Sequence, residues 1–174
     1  GGALEVGAAG ALGTGSALSM AAGTTLRYTG AASGTSSRGL AVAGAVTAAV
    51  DDAGATLTLT GPVGSVGGTL NKRGAGTLAL APTSASSMPL TAVTVKDGGT
   101  LELGGVAGTS YTVANTLYLG SGVASPAEAV PVDAGSLSVT GDASVVVNNI
   151  TLGIWNYSEG HVRVSDNGTF QAKT

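Results

Sequence analysis

Pairs of apolar residues, the two members separated by a single residue and often preceded by a glycine-rich turn, recur along this chain at two spacings. Residues two apart on a strand point the same way, so each pair marks a short strand with one apolar side. The first members of such pairs stand eight residues apart at Leu18 and Leu26, Leu70 and Leu78, Val93 and Leu101, Leu137 and Val145, and Val162 and Phe170. The pairs repeat in turn. Leu70 to Val93 and Leu78 to Leu101 are twenty-three residues, and Leu137 to Val162 and Val145 to Phe170 are twenty-five. A strand of about five residues with a tight turn fills the shorter step. The longer step has the length of one coil of a β-solenoid, whose repeats run to roughly 20–45 residues. The pattern predicts stacked rungs rather than a chain folded once around a central core.

Composition narrows the alternatives. Glycine supplies 30 of 174 residues but not every third one, which excludes a collagen helix. Charged residues are 10 % of the chain, the net charge is −3 and the mean hydropathy is +0.37, unlike a disordered segment. Val, Leu and Ala suit a narrow solenoid interior, and Gly, Asn and Asp suit its corners. Few aromatic rings are expected between closely facing strands. The length suffices for about seven or eight coils, an axis of roughly 35–40 Å at the spacing of paired strands.

Helix signals are weak. The strongest is the Ala-rich Leu40–Val50, but it alternates, contains Gly44 and runs into Asp51-Asp52-Ala53-Gly54, so it reads as two strands. The segments Ala81–Pro89 and Ser121–Pro131 hold four of the five prolines and read as loops leaving the solenoid at a corner. No domain boundary is visible, and residues 1–174 are expected to form a single β-solenoid segment. There is no cysteine and hence no disulfide or thiolate metal site, and no apolar run of 18 residues to span a bilayer. The chain begins inside a repeat phrase and stops just after a strand. It is therefore expected to be a piece of a longer protein.

The most distinctive phrase is Gly68–Ala81, GTLNKRGAGTLALA, followed at Gly98–Gly104 by GGTLELG, with a near copy, GGALEVG, at Gly1–Gly7. These residues resemble the autotransporter-associated β-strand repeat, also called the passenger-associated transport repeat. That pattern runs Gly-x-Leu-x-Lys-x-Gly-x-Gly-x-Leu-x-Leu, a variable loop, then Gly-Gly-x-Leu-x-Val-Gly. Its positions fall here on Gly68, Leu70, Lys72, Gly74, Gly76, Leu78 and Leu80, then on Gly98, Gly99, Leu101, Leu103 and Gly104. Where the family's loop commonly carries Asn-x-Tyr, this chain has PTSASSMP from Pro82 to Pro89. The resemblance covers residues 1–105, and 106–174 are divergent coils. It implies a right-handed parallel β-helix in the exported passenger of a Gram-negative type V secretion system or a related large surface protein. It also implies a repeat that aids passage across the outer membrane and folding at the cell surface.

Candidate chemistry is sparse. Asp51 and Asp52 would point to opposite sides of a strand and fit a D-D-A-G turn better. The remaining acids are scattered singly, unlike the clustered carboxylates of polysaccharide-cleaving β-helices. Glu5 and Glu102 lie between core residues and should face outward. His161 is the only histidine and has no partner ligand in sequence, and no calcium-binding nonapeptide is present. One basic pair in a chain of pI about 4.8 is a poor nucleic-acid footprint. Lys72 reads as part of the repeat's turn, with its stem along the coil surface. Trp155, Asn156 and Tyr157, with His161, are expected first to cover a coil edge. Stacking on a sugar ring, or contact with another protein, is the functional alternative. Asn149, Asn156 and Asn167 are glycosylation sequons, in a chain rich enough in Ser and Thr to hold them by accident.

Two functional readings stand. One is a non-enzymatic spacer that displays other domains at a cell surface. The other is an adhesive or self-associating fibre module, whose partners would be neighbouring coils, like subunits, surface glycans or host proteins. No cofactor, metal or nucleic acid is expected. Outward Thr-x-Thr ladders would suggest an ice-binding face, but Leu57-Thr58-Leu59-Thr60 and Thr94 show no register across coils.

Overall fold

The computed structural model describes residues 1–120, 134–153 and 158–173, and within them the chain is almost entirely parallel β-structure. β1 (Ala3–Val6), a 3-10 turn (Ala9–Leu12) and β2 (Ala17–Met20) form the first coil. β3 (Thr25–Tyr28) and β4 (Gly34–Ser36) lead into β5 (Gly39–Val50), which closes the second coil and opens the third. The same arrangement recurs as β6 (Thr56–Leu59) into β7 (Val63–Arg73), β8 (Thr77–Leu80) into β9 (Ser87–Val95), β10 (Gly99–Leu103) into β11 (Ser110–Leu119), and β12 (Gly135–Val139) into β13 (Ser144–Leu152). β14 (Gly160–Val164) and β15 (Thr169–Ala172) complete the seventh coil. The result is a β-solenoid of about seven turns, roughly 30 Å long at the usual strand spacing.

Each coil has three faces. One sheet runs β1-β3-β5-β7-β9-β11-β13-β15, with β2 also on β5, and the other runs β14-β12-β10-β8-β6-β4. The long strands of the larger sheet kink midway, so that sheet supplies two faces. In β5 the register shifts between Ala43 and Ala45, around Gly44 at φ 79°, a conformation that favours glycine. The Leu40–Val50 segment thus lies within one twelve-residue strand, Gly39–Val50, in two halves, rather than forming two strands. The first face is β1, β3 and the C-terminal halves of the long strands. The second is the smaller sheet, and the third is β2, the N-terminal halves and β15.

The spacing seen in the sequence is the register of this stack. Leu70 pairs with Val93, Leu78 with Leu101, Leu137 with Val162 and Val145 with Phe170. The eight-residue step is the passage around one corner to the next face. On the second face Leu57, Leu78, Leu101, Leu137 and Val162 form one inward column, and Leu59, Leu80, Leu103, Val139 and Val164 form another. Leu70, Leu78, Leu80 and Leu101 are fully buried and Leu103 nearly so. Burying each such side chain contributes about 1.5–3 kcal/mol relative to exposure. Glu5 is exposed and Glu102 partly so.

One expectation needs correction. Only residues 81–86 leave the strands in the first Pro-containing segment, because β9 already starts at Ser87 and includes Pro89. Proline fits there because the pairing of β9 with β7 begins only at Leu90, so no ladder bond from residue 89 to β7 is lost. The segment 121–131 lies outside the described residues. The interior also accepts large rings: Tyr28 and Tyr111 are buried, and the Tyr28 hydroxyl donates to the Ala32 carbonyl at 2.7 Å.

The glycine two residues before Leu78 and Leu101, a position held by Ala55 before Leu57, has a steric cause. A methyl on Gly76 would overlap the Asp52 carbonyl, and one on Gly99 would overlap the Gly74 carbonyl and the Lys72 amine. At Gly64 nothing lies within 4 Å of such a methyl. We predict that Gly99→Ala lowers unfolding stability by about 1–3 kcal/mol while Gly64→Ala is near neutral, read from urea denaturation. Leu78→Asp should cost about 4 kcal/mol by burying an unpaired charge. Melting of Leu78→Asp at the wild-type temperature would overturn the inward placement.

Candidate functional site

Lys72, Gly74, Gly76, Gly98 and Gly99 of the repeat motif lie at the corner between the first and second faces, Gly68 lies at the β7 kink, and the motif leucines Leu70, Leu78, Leu80, Leu101 and Leu103 fill the inward columns. Leu70 and Lys72 are two apart on β7, so both side chains enter the interior. Lys72 occupies the column Leu26, Ala48, Lys72, Val95, Leu119. It is fully buried, which corrects the expectation that its stem lies along the coil surface. Strict strand alternation from Leu70 was the signal that could have placed it inside.

The chain turns at Gly74 (φ 72°), bringing two carbonyls back over the end of the column. The Lys72 Nζ donates to the Arg73 carbonyl at 2.6 Å and to the Gly74 carbonyl at 2.7 Å. From the next coil, Gly99 closes over the amine, its missing side chain leaving the necessary room. Burial lowers the Lys72 pKa to about 8, partly offset by the charges of Asp97 and Asp51. Asp97, at φ 62°, shapes the turn before Gly98 and accepts from the Gly74 amide at 3.3 Å.

A second buried polar group joins coils four and five. The Tyr111 hydroxyl lies 2.9 Å from the Gly104 carbonyl and 3.2 Å from the Leu80 carbonyl, and donates its one proton to this pair. Its burial pushes the phenol pKa well above the usual 10. Nothing in its sequence context marks Tyr111 as a core residue except its place two before Val113.

Outside the same corner, charges pair from coil to coil. Arg27 contacts Asp51 at 2.8 Å and Glu5 at 3.7 Å, and Arg73 meets Asp97 at 3.4 Å. These partly exposed pairs are worth at most about 1 kcal/mol each. Asp52 makes the expected turn, accepting from the Gly54 amide at 2.8 Å.

His161 is exposed on β14, with its Nε2 3.4 Å from a Glu159 carboxylate oxygen. Trp155, Asn156 and Tyr157 lie outside the described residues. The Asn149 amide bonds the Asn115 carbonyl at 3.3 Å and the Asn167 amide bonds Asp142 at 2.9 Å. Among the described residues no three of His, Asp and Glu come together as metal ligands, and no helix is long and apolar enough to cross a membrane.

One hydroxyl column escaped sequence reasoning. Thr56, Thr77, Thr100 and Ser136 align outward on the second face, continued by His161. The threonines singled out in the sequence, Thr58 and Thr94, are not part of it: Thr58 pairs with Ala79, and Thr94 with Asn71 and Tyr118. The adjacent outward column reads Thr58, Ala79, Glu102, Ser138, Arg163, so no second hydroxyl row completes a flat plane.

Comparison of the chain with protein-family models, with curated proteins and with solved structures finds no match in any of the three.

The two buried polar groups predict a pH profile. Between pH 8 and 10.5 the unfolded chain holds a proton on Lys72 that the folded chain has lost, so stability rises with pH. Above pH 10 the folded chain keeps the Tyr111 proton that the unfolded chain releases, so stability falls. The urea midpoint should therefore climb from pH 8 towards 10 and then decline. Lys72→Met should abolish the climb and Tyr111→Phe should shallow the decline.

Proposed function

We propose that this chain is a spacer and display segment of a large bacterial surface protein, exported as an autotransporter-like passenger and without enzymatic activity. The observation that supports this reading best is the continuous in-register stack. Each coil buries its apolar columns only against its neighbours, so rigidity and length grow coil by coil. Such a stack can fold progressively from one end, as suits a chain emerging slowly through a pore. Among the described residues, Arg27 with Glu5 and Asp51, and Arg73 with Asp97, pair along the outside between successive coils. The motif residues Gly68, Leu70, Lys72, Gly74, Gly76, Leu78 and Leu80, with Gly98, Gly99, Leu101 and Leu103, all serve the corner, the β7 kink and the inward columns. Absence of cysteine suits the same route, since no disulfide can form early and obstruct translocation.

The test is a display experiment. The chain is placed between an N-terminal epitope and an outer-membrane translocating barrel in a Gram-negative host. The expected result is an epitope reachable by antibody on intact cells, on a segment resistant to protease. Leu78→Asp should leave that segment protease-sensitive and lower the displayed amount several-fold. Retention of the wild-type segment inside the envelope, folded there, would sink the proposal.

A further inference from the structure

We propose that the third face of this solenoid is a docking surface for a second copy of the chain, the two copies lying side by side with their coil axes parallel. This goes beyond the spacer reading and rests on different residues. The strand segments of the third face, the first being Ala17–Met20 on β2 and the last Thr169–Ala172 on β15, carry no charged side chain. The ion pairs that link coil to coil stand instead at the corner between the first and second faces. Depletion of charge is the compositional mark of the centre of an interface. Exposed apolar side chains give the same indication. Away from the first and last coils, the large apolar side chains left exposed among the described residues are Val66, at 85 %, and Val106, at 41 %. Val66 stands on the third face itself, where β7 pairs with β5, and Val106 lies in the turn that enters that face at β11.

The face is complementary to itself. On β5 and β7 its outward positions form two columns, Ala41 beside Gly64 and Ala43 beside Val66. Val66 is a knob projecting into solvent. Gly64, two residues before it on the same side of β7, is a hollow, with nothing within 4 Å of the place where a methyl would stand. On later coils Pro89, Thr112 and Val146 form a column like that of Gly64, and Ala114, two residues beyond Thr112, is exposed beside it. Side chains this small let two such sheets approach to the ~10 Å of packed sheets.

A second copy fits this geometry in one orientation. A two-fold axis parallel to the coil axis, running between the two columns, sets Val66 of each copy over Gly64 of the other, and Ala43 over Ala41. A two-fold axis running across the coils would set each column against itself, knob on knob. The contact is isologous, so it closes at a dimer. Identical faces meet without repulsion because they hold no charge. Five residues of width, as in Gly39–Ala43, and the ~30 Å length of the stack give about 500 Å² per copy, or about 1,000 Å² in total. That area is the lower bound for specific association, and it makes the dimer weak and reversible.

The test is sedimentation equilibrium over a range of concentrations. The wild-type chain should pass from monomer to dimer and stop there. Val66→Lys puts a charge on the knob, and Gly64→Glu, at a glycine with open surroundings, fills the hollow. Circular dichroism checks that each variant keeps its strands. Each variant alone should dimerise at least roughly tenfold more weakly than the wild type. An equimolar mixture of the two should recover the dimer, because one native contact of Val66 with Gly64 remains and the new lysine meets the new glutamate at the other. Thr58→Lys, outward on the second face, should dimerise as the wild type does. A wild-type chain that stays monomeric at every concentration would overturn the proposal. So would mass that grows past the dimer, a Val66→Lys variant that associates as tightly as the wild type, or a mixture no tighter than its components.

Discussion

The stacking of one coil on the next, through parallel backbone hydrogen bonds and shared inward columns, is the interaction on which the rest of this structure depends. A strand of four or five residues buries too little by itself to offset the entropy of ordering it. It becomes stable only when a neighbour supplies the other half of each hydrogen bond and the facing surface of each leucine. Column membership is therefore set by position in the coil rather than by position in the chain. The step between partners ranges from the twenty-one residues separating Leu57 and Leu78 to the thirty-six separating Leu101 and Leu137. The columns continue undisturbed across these unequal steps.

Lys72 shows how strict the column is. An amine inside an apolar stack costs free energy unless its donors are met. Here the turn at Gly74 folds two carbonyls over it, and Gly99 of the next coil seals the site. The lysine therefore serves as a corner piece that fits only where a left-handed glycine and a bare backbone glycine stand in adjacent coils. Tyr111 does comparable work on the opposite side of the interior, its hydroxyl held by carbonyls of two coils. Tyr111 thereby bonds the fourth coil to the fifth, whereas Lys72 bonds within its own coil and is covered by Gly99 of the next.

The outer surface follows from the same repetition. A hydroxyl column appears on the second face because three successive coils place a β-branched threonine, and the next a serine, just after the corner, where threonine suits a half-exposed strand. Opposite charges alternate along the neighbouring corner for a related reason, since like charges directly opposed in adjacent strands would destabilise the ladder. Features that might be taken for binding chemistry are here the outward side of a register chosen by the interior.

Much of this was legible beforehand. The period of twenty-three residues, the inward leucines Leu78, Leu80, Leu101 and Leu103, and the Asp52 turn all rest on local rules: side-chain alternation, glycine at corners, and Asx geometry. Those rules act within a few residues, so the amino-acid order determines them directly. The tertiary structure alone decided where the long-range neighbours fall. It brought Lys72 under the Arg73 and Gly74 carbonyls and Gly99, stood Tyr111 between Leu80 and Gly104, and aligned Thr56 with Thr77 and Thr100. Each depends on which residue of another coil lies 4.7–4.9 Å away. Unequal corner lengths hide that neighbour from any fixed spacing along the chain.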